Sequence, residues 1–163
     1  MILINGCSFT ADYGKKDTWV GAFEDKGIEL SNIKNSAAGG SSNKNIARRT
    51  FWQITNYEYE YALIQWSTID RWDYPVYITE ERANNFPRIK EWPNRIGYIN
   101  YMSNGTDTTG YAKEFYEHYY SIHGAVLETL ECIYNTQLYL KERNIPYKMI
   151  TMGNLFGMDV SVE

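Results

Sequence analysis

The chain alternates short apolar runs with longer stretches of helical spacing. Four short segments carry the apolar or alternating pattern of β-strands: residues 2–5, 28–33, 61–67 and 147–152. Three longer segments place apolar residues every three or four positions, as helices do: residues 19–26, 43–56 and 111–143. Strands that alternate with helices are typical of a parallel sheet with right-handed crossovers and helices on both faces. The pattern therefore predicts a single α/β domain over residues 1–163.

Residues 71–110 interrupt this alternation. They hold three of the four prolines, many aromatic residues and little periodicity. Compact domains rarely keep so long a loop without a use for it, so we expect an aromatic-rich insertion with a role of its own. Its aromatic side chains could stack on sugars or bury an interface, or they could form a second small core beneath the loop.

Polar motifs follow the first three predicted strands. They are Gly6–Thr10, the Gly39-Gly40 pair and Trp66–Thr68. In open parallel sheets, ligands bind beyond the carboxyl ends of the strands, where these motifs would meet. A hydroxyl at Ser8 beside backbone N–H groups would supply the nucleophile and the oxyanion donors that acyl transfer needs. The alternative is a serine that only caps or closes a turn.

The other two motifs leave alternatives open as well. The glycine loop can bring a backbone N–H close to an oxyanion or phosphate, or it can be a flexible turn before a helix capped by Ser42 or Asn43. The glycine motifs of nucleotide-binding loops do not occur here. Beyond the third strand, Arg71 and Asp73 could form an ion pair that organises the loop, or they could be incidental charges on a solvated loop.

Together these blocks resemble the SGNH/GDSL hydrolase superfamily. The matching stretches are Ile-Leu-Ile-Asn-Gly-Cys-Ser-Phe-Thr at 2–10, Asn-Ser-Ala-Ala-Gly-Gly-Ser-Ser-Asn at 35–43 and Gln-Trp-Ser-Thr-Ile-Asp-Arg at 65–71. More narrowly, the chain is similar to a divergent branch common in phage and marine bacterial genomes, which often has Gly-Cys-Ser in place of Gly-Asp-Ser. The resemblance implies a flavodoxin-like three-layer α/β/α fold, here with a sheet that could be truncated at its C-terminal edge.

The resemblance also implies roles for individual residues. Ser8 matches the nucleophile, with its own N–H in the oxyanion hole, and Gly40, or less readily Gly39, matches the glycine donor. The asparagine donor of the family has no identical match, and Ser67 or Thr68 stands in its neighbourhood. We further expect three residues to contact the substrate: Trp66, Arg71 and Asp73.

The catalytic base of the family is missing from its usual place. That base is a histidine in an Asp-x-x-His block after the last strand, and no such block occurs in the chain. His118 and His123 lie on the predicted helix 111–143, away from the strand ends, and we do not expect either to replace it. Two hypotheses follow. The chain is an esterase whose base is truncated away or supplied by another polypeptide, or it is a catalytically silent binding or structural module.

Composition limits the partners and cofactors that we expect for this chain. A net charge of −4 disfavours nucleic-acid binding. Two cysteines and two histidines are too few for a disulfide framework and argue against a zinc site. No metal or organic cofactor is expected. No apolar run is long enough for a membrane span and no secretory signal is evident, which predicts a cytoplasmic protein, or a virion-associated one if a phage encodes it. The expected partners are a small-molecule or glycan ester and a second chain, identical or not, over the C-terminal sheet edge.

Overall fold

The computed structural model describes residues 1–11, 19–77, 96–102 and 111–152 of the chain. The strands are β1 (Ile2–Asn5), β2 (Ile33–Asn35), β3 (Tyr61–Trp66), β4 (Arg71–Tyr77), β5 (Ile96–Met102) and β6 (Tyr147–Thr151). The helices are α1 (Ala22–Asp25), α2 (Asn43–Asn56), α3 (Tyr111–Glu114) and α4 (Ile122–Glu142). A 3-10 turn (Leu30–Asn32) precedes β2, and a π-helical segment (Phe115–Tyr119) extends α3.

Four of the strands form a parallel sheet in the order β2-β1-β3-β6. The central strand β1 pairs Ile4 with Asn35 on one side and Asn5 with Ile64 on the other. This is the α/β architecture that the pattern predicts, with the 2-1-3 order of flavodoxin-like sheets. In such sheets the strand order reverses between β1 and β3, and the crevice at their carboxyl ends is the usual place for a ligand.

Helices α2 and α4 cover one face of the sheet. They pack side by side, with the rings of Phe51 and Tyr139 edge to face at 5.3 Å between centroids. Side chains alternate along a strand, so one set of strand residues faces this helix layer. The core between them includes Leu3, Ile46, Ala62, Ile64, Trp66 and Leu140.

Residues that connect β1 to β2 cover the opposite face of the sheet. Gln65 points there, because its neighbours in β3 face the helix layer. Its Oε1 accepts hydrogen bonds from Thr10 Oγ1 and, at 3.2 Å, from Trp19 Nε1. Phe23 of α1 packs edge-on against Trp19 at 5.7 Å. The short helix α1 therefore lies on the side of the sheet away from α2 and α4.

Two predicted elements differ from the structure. The strand predicted at 28–33 lies later in the chain, at Ile33–Asn35. The Ile28 N–H instead donates to Phe23 O at 3.0 Å and closes α1, with Gly27 at φ 74°. The helix predicted at 111–143 is broken. Ser121 starts α4 as its N-cap, its hydroxyl accepting from the Gly124 N–H at 3.3 Å, so Gly124 lies in the first turn and does not itself divide the helix.

The insertion predicted at 71–110 contains regular structure. Strands β4 and β5 form an antiparallel pair that matches Arg71 with Met102 and Asp73 with Asn100. Residues 78–95 and 103–110 of that insertion lie outside the described residues. None of the described helices is both long and apolar enough to cross a bilayer.

Candidate functional site

Ser8 lies in a tight turn just beyond the carboxyl end of β1. The N–H groups of Thr10 and Ala11 both donate to Cys7 O, at 3.0 and 2.9 Å, so the backbone curls as in the first turn of a helix. Ser8 is half-buried, and none of the described residues hydrogen-bonds its hydroxyl. The serine singled out from the sequence is therefore open to the edge of the sheet rather than sealed in the core.

Buried polar side chains fix the start of this turn. Asn5 is fully buried, and its Oδ1 accepts from the Gly6 N–H at 2.8 Å. Its Nδ2 donates to Ile46 O and to Thr50 Oγ1 of α2, both at 2.8 Å. The strand end is thereby tied to the helix layer through hydrogen bonds that are shielded from water.

The glycine loop lies directly beside the Ser8 turn. The Ala38 N–H donates to Gly6 O at 3.2 Å, and Asn35 Nδ2 donates to Thr10 O at 2.8 Å. Gly40 has φ 76°, a conformation that glycine adopts without steric cost. Two of the three predicted motifs are thus neighbours at one edge of the sheet.

Arg49 of α2 bridges these two loops. Its Nη2 donates to Gly6 O at 3.0 Å and to Ser41 Oγ at 2.8 Å. Ser41 in turn donates to Ala38 O at 2.8 Å. One guanidinium therefore holds the exit of β1 against the end of the glycine loop.

The third motif lies deeper than the sequence suggests. Ser67 is fully buried, its N–H donates to Asn43 Oδ1 at 2.7 Å, and its carbonyl accepts from Asn43 Nδ2 at 3.2 Å. An oxyanion would have to displace Asn43 to use that N–H, so the half-buried Thr68 is the better placed of the two candidate donors. Trp66 is 1% exposed and faces the helix layer, which corrects the expectation that its side chain contacts a substrate.

The ion pair considered between Arg71 and Asp73 is not formed. Asp73 binds Arg48 of α2 instead, with 2.5 Å between Oδ2 and Nη1. Arg71 and Asp73 line a shallow depression between β4, the first turn of α2, and α4. Arg71 Nη1 and Asp73 Oδ1 are buried there without a hydrogen-bond partner among the described residues.

Burial dominates the electrostatics of this depression. Burial raises the pKa of Asp73. Arg48, Lys44 and the Asn45 N–H each lower this pKa, but by less than burial raises it. Burial also raises the pKa of the Cys132 thiol to about 11. A thiol with that pKa stays protonated at neutral pH, so Cys132 lines the depression as a weakly polar group and not as a nucleophile.

The raised pKa of Asp73 predicts a pH dependence of stability. Above its ordinary value of 3.8, the folded state keeps a proton that the unfolded state has lost, so this group lowers the stability as pH rises. We expect Asp73→Asn, which is neutral at every pH, to gain stability relative to the wild type as the pH rises above 3.8. Urea denaturation at several pH values measures the difference, with Glu128→Gln, an exposed carboxylate paired with Lys44, as the control. A difference that stays constant or shrinks with pH would contradict the assignment.

Among the described residues, neither histidine forms a hydrogen bond or ion pair with the Ser8 turn or the glycine loop. His118 has a 60% exposed side chain, with its Nε2 3.8 Å from Glu114 Oε2, and His123 is exposed near the start of α4. Over the part of the chain that the structure describes, no group of three His, Cys, Asp or Glu side chains comes together as a metal site would require.

The sequence interpretation missed the roles of Asn5, Asn43 and Arg49. One signal for Asn43 was available: it lies on the same buried face of α2 as Ile46, Thr50 and Gln53. A polar side chain on an otherwise buried stripe needs a hydrogen-bond partner, which predicts contacts across elements. Arg49 carried no comparable signal, because its partners are a main-chain carbonyl and a serine in a loop.

Comparison of the chain with protein-family models, with curated proteins and with solved structures finds no match.

Proposed function

We propose that the chain is an SGNH/GDSL-like serine hydrolase that acts on carbohydrate or lipid-like acyl esters. The observation that supports this function most directly is the junction between the Ser8 turn and the Gly40 loop. The Ala38–Gly6 hydrogen bond and the Arg49 bridge hold the turn of the half-buried Ser8 beside the glycine loop. A nucleophile and oxyanion donors on adjacent loops are what ester cleavage requires.

In the proposed reaction, Ser8 Oγ loses its proton to a base and attacks the ester carbonyl carbon, so that negative charge forms on the carbonyl oxygen. The N–H groups of Ser8 and Gly40 donate to the oxyanion, with the Thr68 hydroxyl as a further candidate donor. The alcohol then leaves, and water releases the acid from the acyl-enzyme. Cys7, which stands where relatives carry aspartate, has no part in these steps, because it is buried and its Sγ lies 3.2 Å from Met152 Sδ.

The base is the missing component of this proposal. A serine hydroxyl is a weak nucleophile until a neighbouring group takes its proton. His118 and His123 are the two histidines of the chain, and among the described residues neither forms a hydrogen bond with the Ser8 turn. The proposal therefore assigns the base to another polypeptide and expects the isolated chain to react slowly.

Free imidazole offers a test, because a small base can diffuse to the open Ser8 hydroxyl. We expect a fluorophosphonate probe to form an adduct on Ser8, at a rate that rises with imidazole concentration. Mass spectrometry of the digested protein locates the adduct, and Ser8→Ala is expected to abolish it. The exposed Ser31 serves as an internal control that stays unmodified. Labelling of Ser31 at the same rate as Ser8 would show chemical reactivity alone and refute the proposed site.

A second candidate function is a silent binding module on the same fold. Two observations favour this candidate: neither histidine hydrogen-bonds Ser8 among the described residues, and Asn43 occupies the Ser67 N–H. It predicts no adduct on Ser8 at any imidazole concentration and no turnover of short 4-nitrophenyl esters above the rate of Ser8→Ala. The labelling experiment therefore separates the two functions.

A further inference from the structure

Helix α4 exposes a row of large apolar side chains on the face away from the core. We call this row the outer stripe, and its residues with their exposed fractions are Leu127 (61%), Leu130 (44%), Tyr134 (61%) and Leu138 (47%). The core-facing side of the same helix holds two buried threonines, Thr129 and Thr136, together with Leu140 and the partly buried Ile133 and Tyr139. A helix that only covers its own core buries its leucines and exposes its threonines. The outer stripe is therefore a surface that is suited to being covered.

The spacing of the outer stripe is symmetric. Leu130 precedes Tyr134 by four residues and Leu138 follows it by four. Residues four apart lie on the same side of a helix, about one turn from each other. When two copies of α4 run antiparallel with a two-fold axis at Tyr134, Leu130 of each copy meets Leu138 of the other. A self-complementary row of this kind fits an isologous two-fold contact.

The charges beside the outer stripe favour the same arrangement. Glu128 and Glu131 lie in its N-terminal half, and Lys141 and Arg143 at its C-terminal end, where Glu142 is the exception. An antiparallel pair brings the acidic half of one helix to the basic end of the other. A parallel pair would place like charges side by side, which is unfavourable.

We propose that the protein forms a homodimer in which the outer stripes of two copies pack antiparallel about a two-fold axis at Tyr134. The occupant of the stripe is a second copy of this chain. The inference does not depend on the hydrolase proposal, since α4 packs on the sheet whether or not Ser8 reacts.

Sedimentation equilibrium of the full chain tests the association. We expect twice the chain mass of 19.1 kDa at micromolar concentrations. Leu130→Glu is expected to weaken the dimer by about 100-fold or more, because it buries a charge against Leu138 of the other copy. Leu30→Glu is the matched control. Leu30 is 38% exposed and lies just before β2, the edge strand opposite β6. A wild-type chain that stays monomeric up to about 100 μM would overturn the proposal.

Cysteine cross-linking tests the register, and it remains informative if Leu130→Glu impairs folding. Under mild oxidation, Tyr134→Cys is expected to give a disulfide-linked dimer, because the two substituted positions meet at the axis. Leu127→Cys is not expected to do so, since the two copies of position 127 would lie about 21 Å apart, beyond the reach of a disulfide. Cross-linking of both variants would indicate a parallel pair, and cross-linking of neither would exclude the contact. Either result overturns the proposal.

Discussion

Replacement of Gly6 by alanine is expected to lower the free energy of unfolding by about 3 kcal/mol, within the range for steric overpacking of a core. A Cβ at this position would overlap Thr10 Oγ1 and lie 2.8 Å from Thr10 Cβ and 3.1 Å from Gln65 O. Thr10 cannot move aside easily, because it is fully buried and its hydroxyl donates to Gln65 Oε1. The strand end and the Ser8 turn must therefore shift together.

Urea denaturation measures this loss, and Gly124→Ala provides a matched glycine control. The nearest atom to a Cβ at Gly124 is Ser121 Cβ at 3.6 Å, an ordinary contact. Because alanine is the better helix former, Gly124→Ala is expected to stabilise the protein by roughly 0.5–1 kcal/mol. We also expect Gly6→Ala to lose imidazole-dependent labelling of Ser8 under conditions where it remains folded. Equal stabilities of the two variants would contradict the tight packing behind the Ser8 turn.

Replacement of Asn43 by alanine is expected to cost about 2–4 kcal/mol, the range for leaving buried polar groups without partners. The Asn43 amide joins three elements: it satisfies the N–H and the carbonyl of Ser67, and its Nδ2 also donates to Thr129 Oγ1 at 3.0 Å. Asn43 is 5% exposed, so water cannot readily replace these hydrogen bonds. The loss removes the link between the end of β3, the start of α2, and α4.

Asn56→Ala is the control for this prediction. Asn56 also lies on α2 and its Nδ2 donates to Trp52 O at 2.7 Å, but it is exposed, so water can satisfy the freed carbonyl. Its substitution is expected to change the stability by less than about 0.5 kcal/mol. Thermal or urea unfolding of both variants gives the comparison. A loss for Asn43→Ala as small as that for Asn56→Ala would mean that the buried amide network contributes little.

The parallel sheet could be predicted from the sequence because its signals are local. Buried strands such as β3 and amphipathic helices such as α2 each show their periodicity within a dozen residues. The β4–β5 pair could not, since Arg71 and Met102 pair across a long intervening segment and Pro75 interrupts the local alternation. The start of β2 was misplaced because Ile28 closes α1, and a hydrophobic pattern does not distinguish a helix cap from a strand.

The candidate site was predicted in part for the same reason. Carboxyl ends of neighbouring parallel strands share an edge, so strand order alone brings the Ser8 turn to the glycine loop. Side chains alternate between the two faces of a strand, so whether one faces the cleft or the core depends on its position in that alternation. A short sequence motif does not reveal that position. Trp66 therefore proved to be a core residue, and Asp73 proved to pair with Arg48 rather than Arg71.

The central place of β1 in the sheet affects the order in which the protein can assemble during synthesis. This strand is made first, yet its partners Ile33–Asn35 and Tyr61–Trp66 emerge from the ribosome much later. Until then the backbone N–H and C=O groups along both edges of this apolar strand have no partner strand, and such edges are where nascent chains aggregate. Productive folding of the sheet must therefore wait until at least Trp66 has been released. Translational pausing shortly after that residue has left the exit tunnel would favour correct strand pairing.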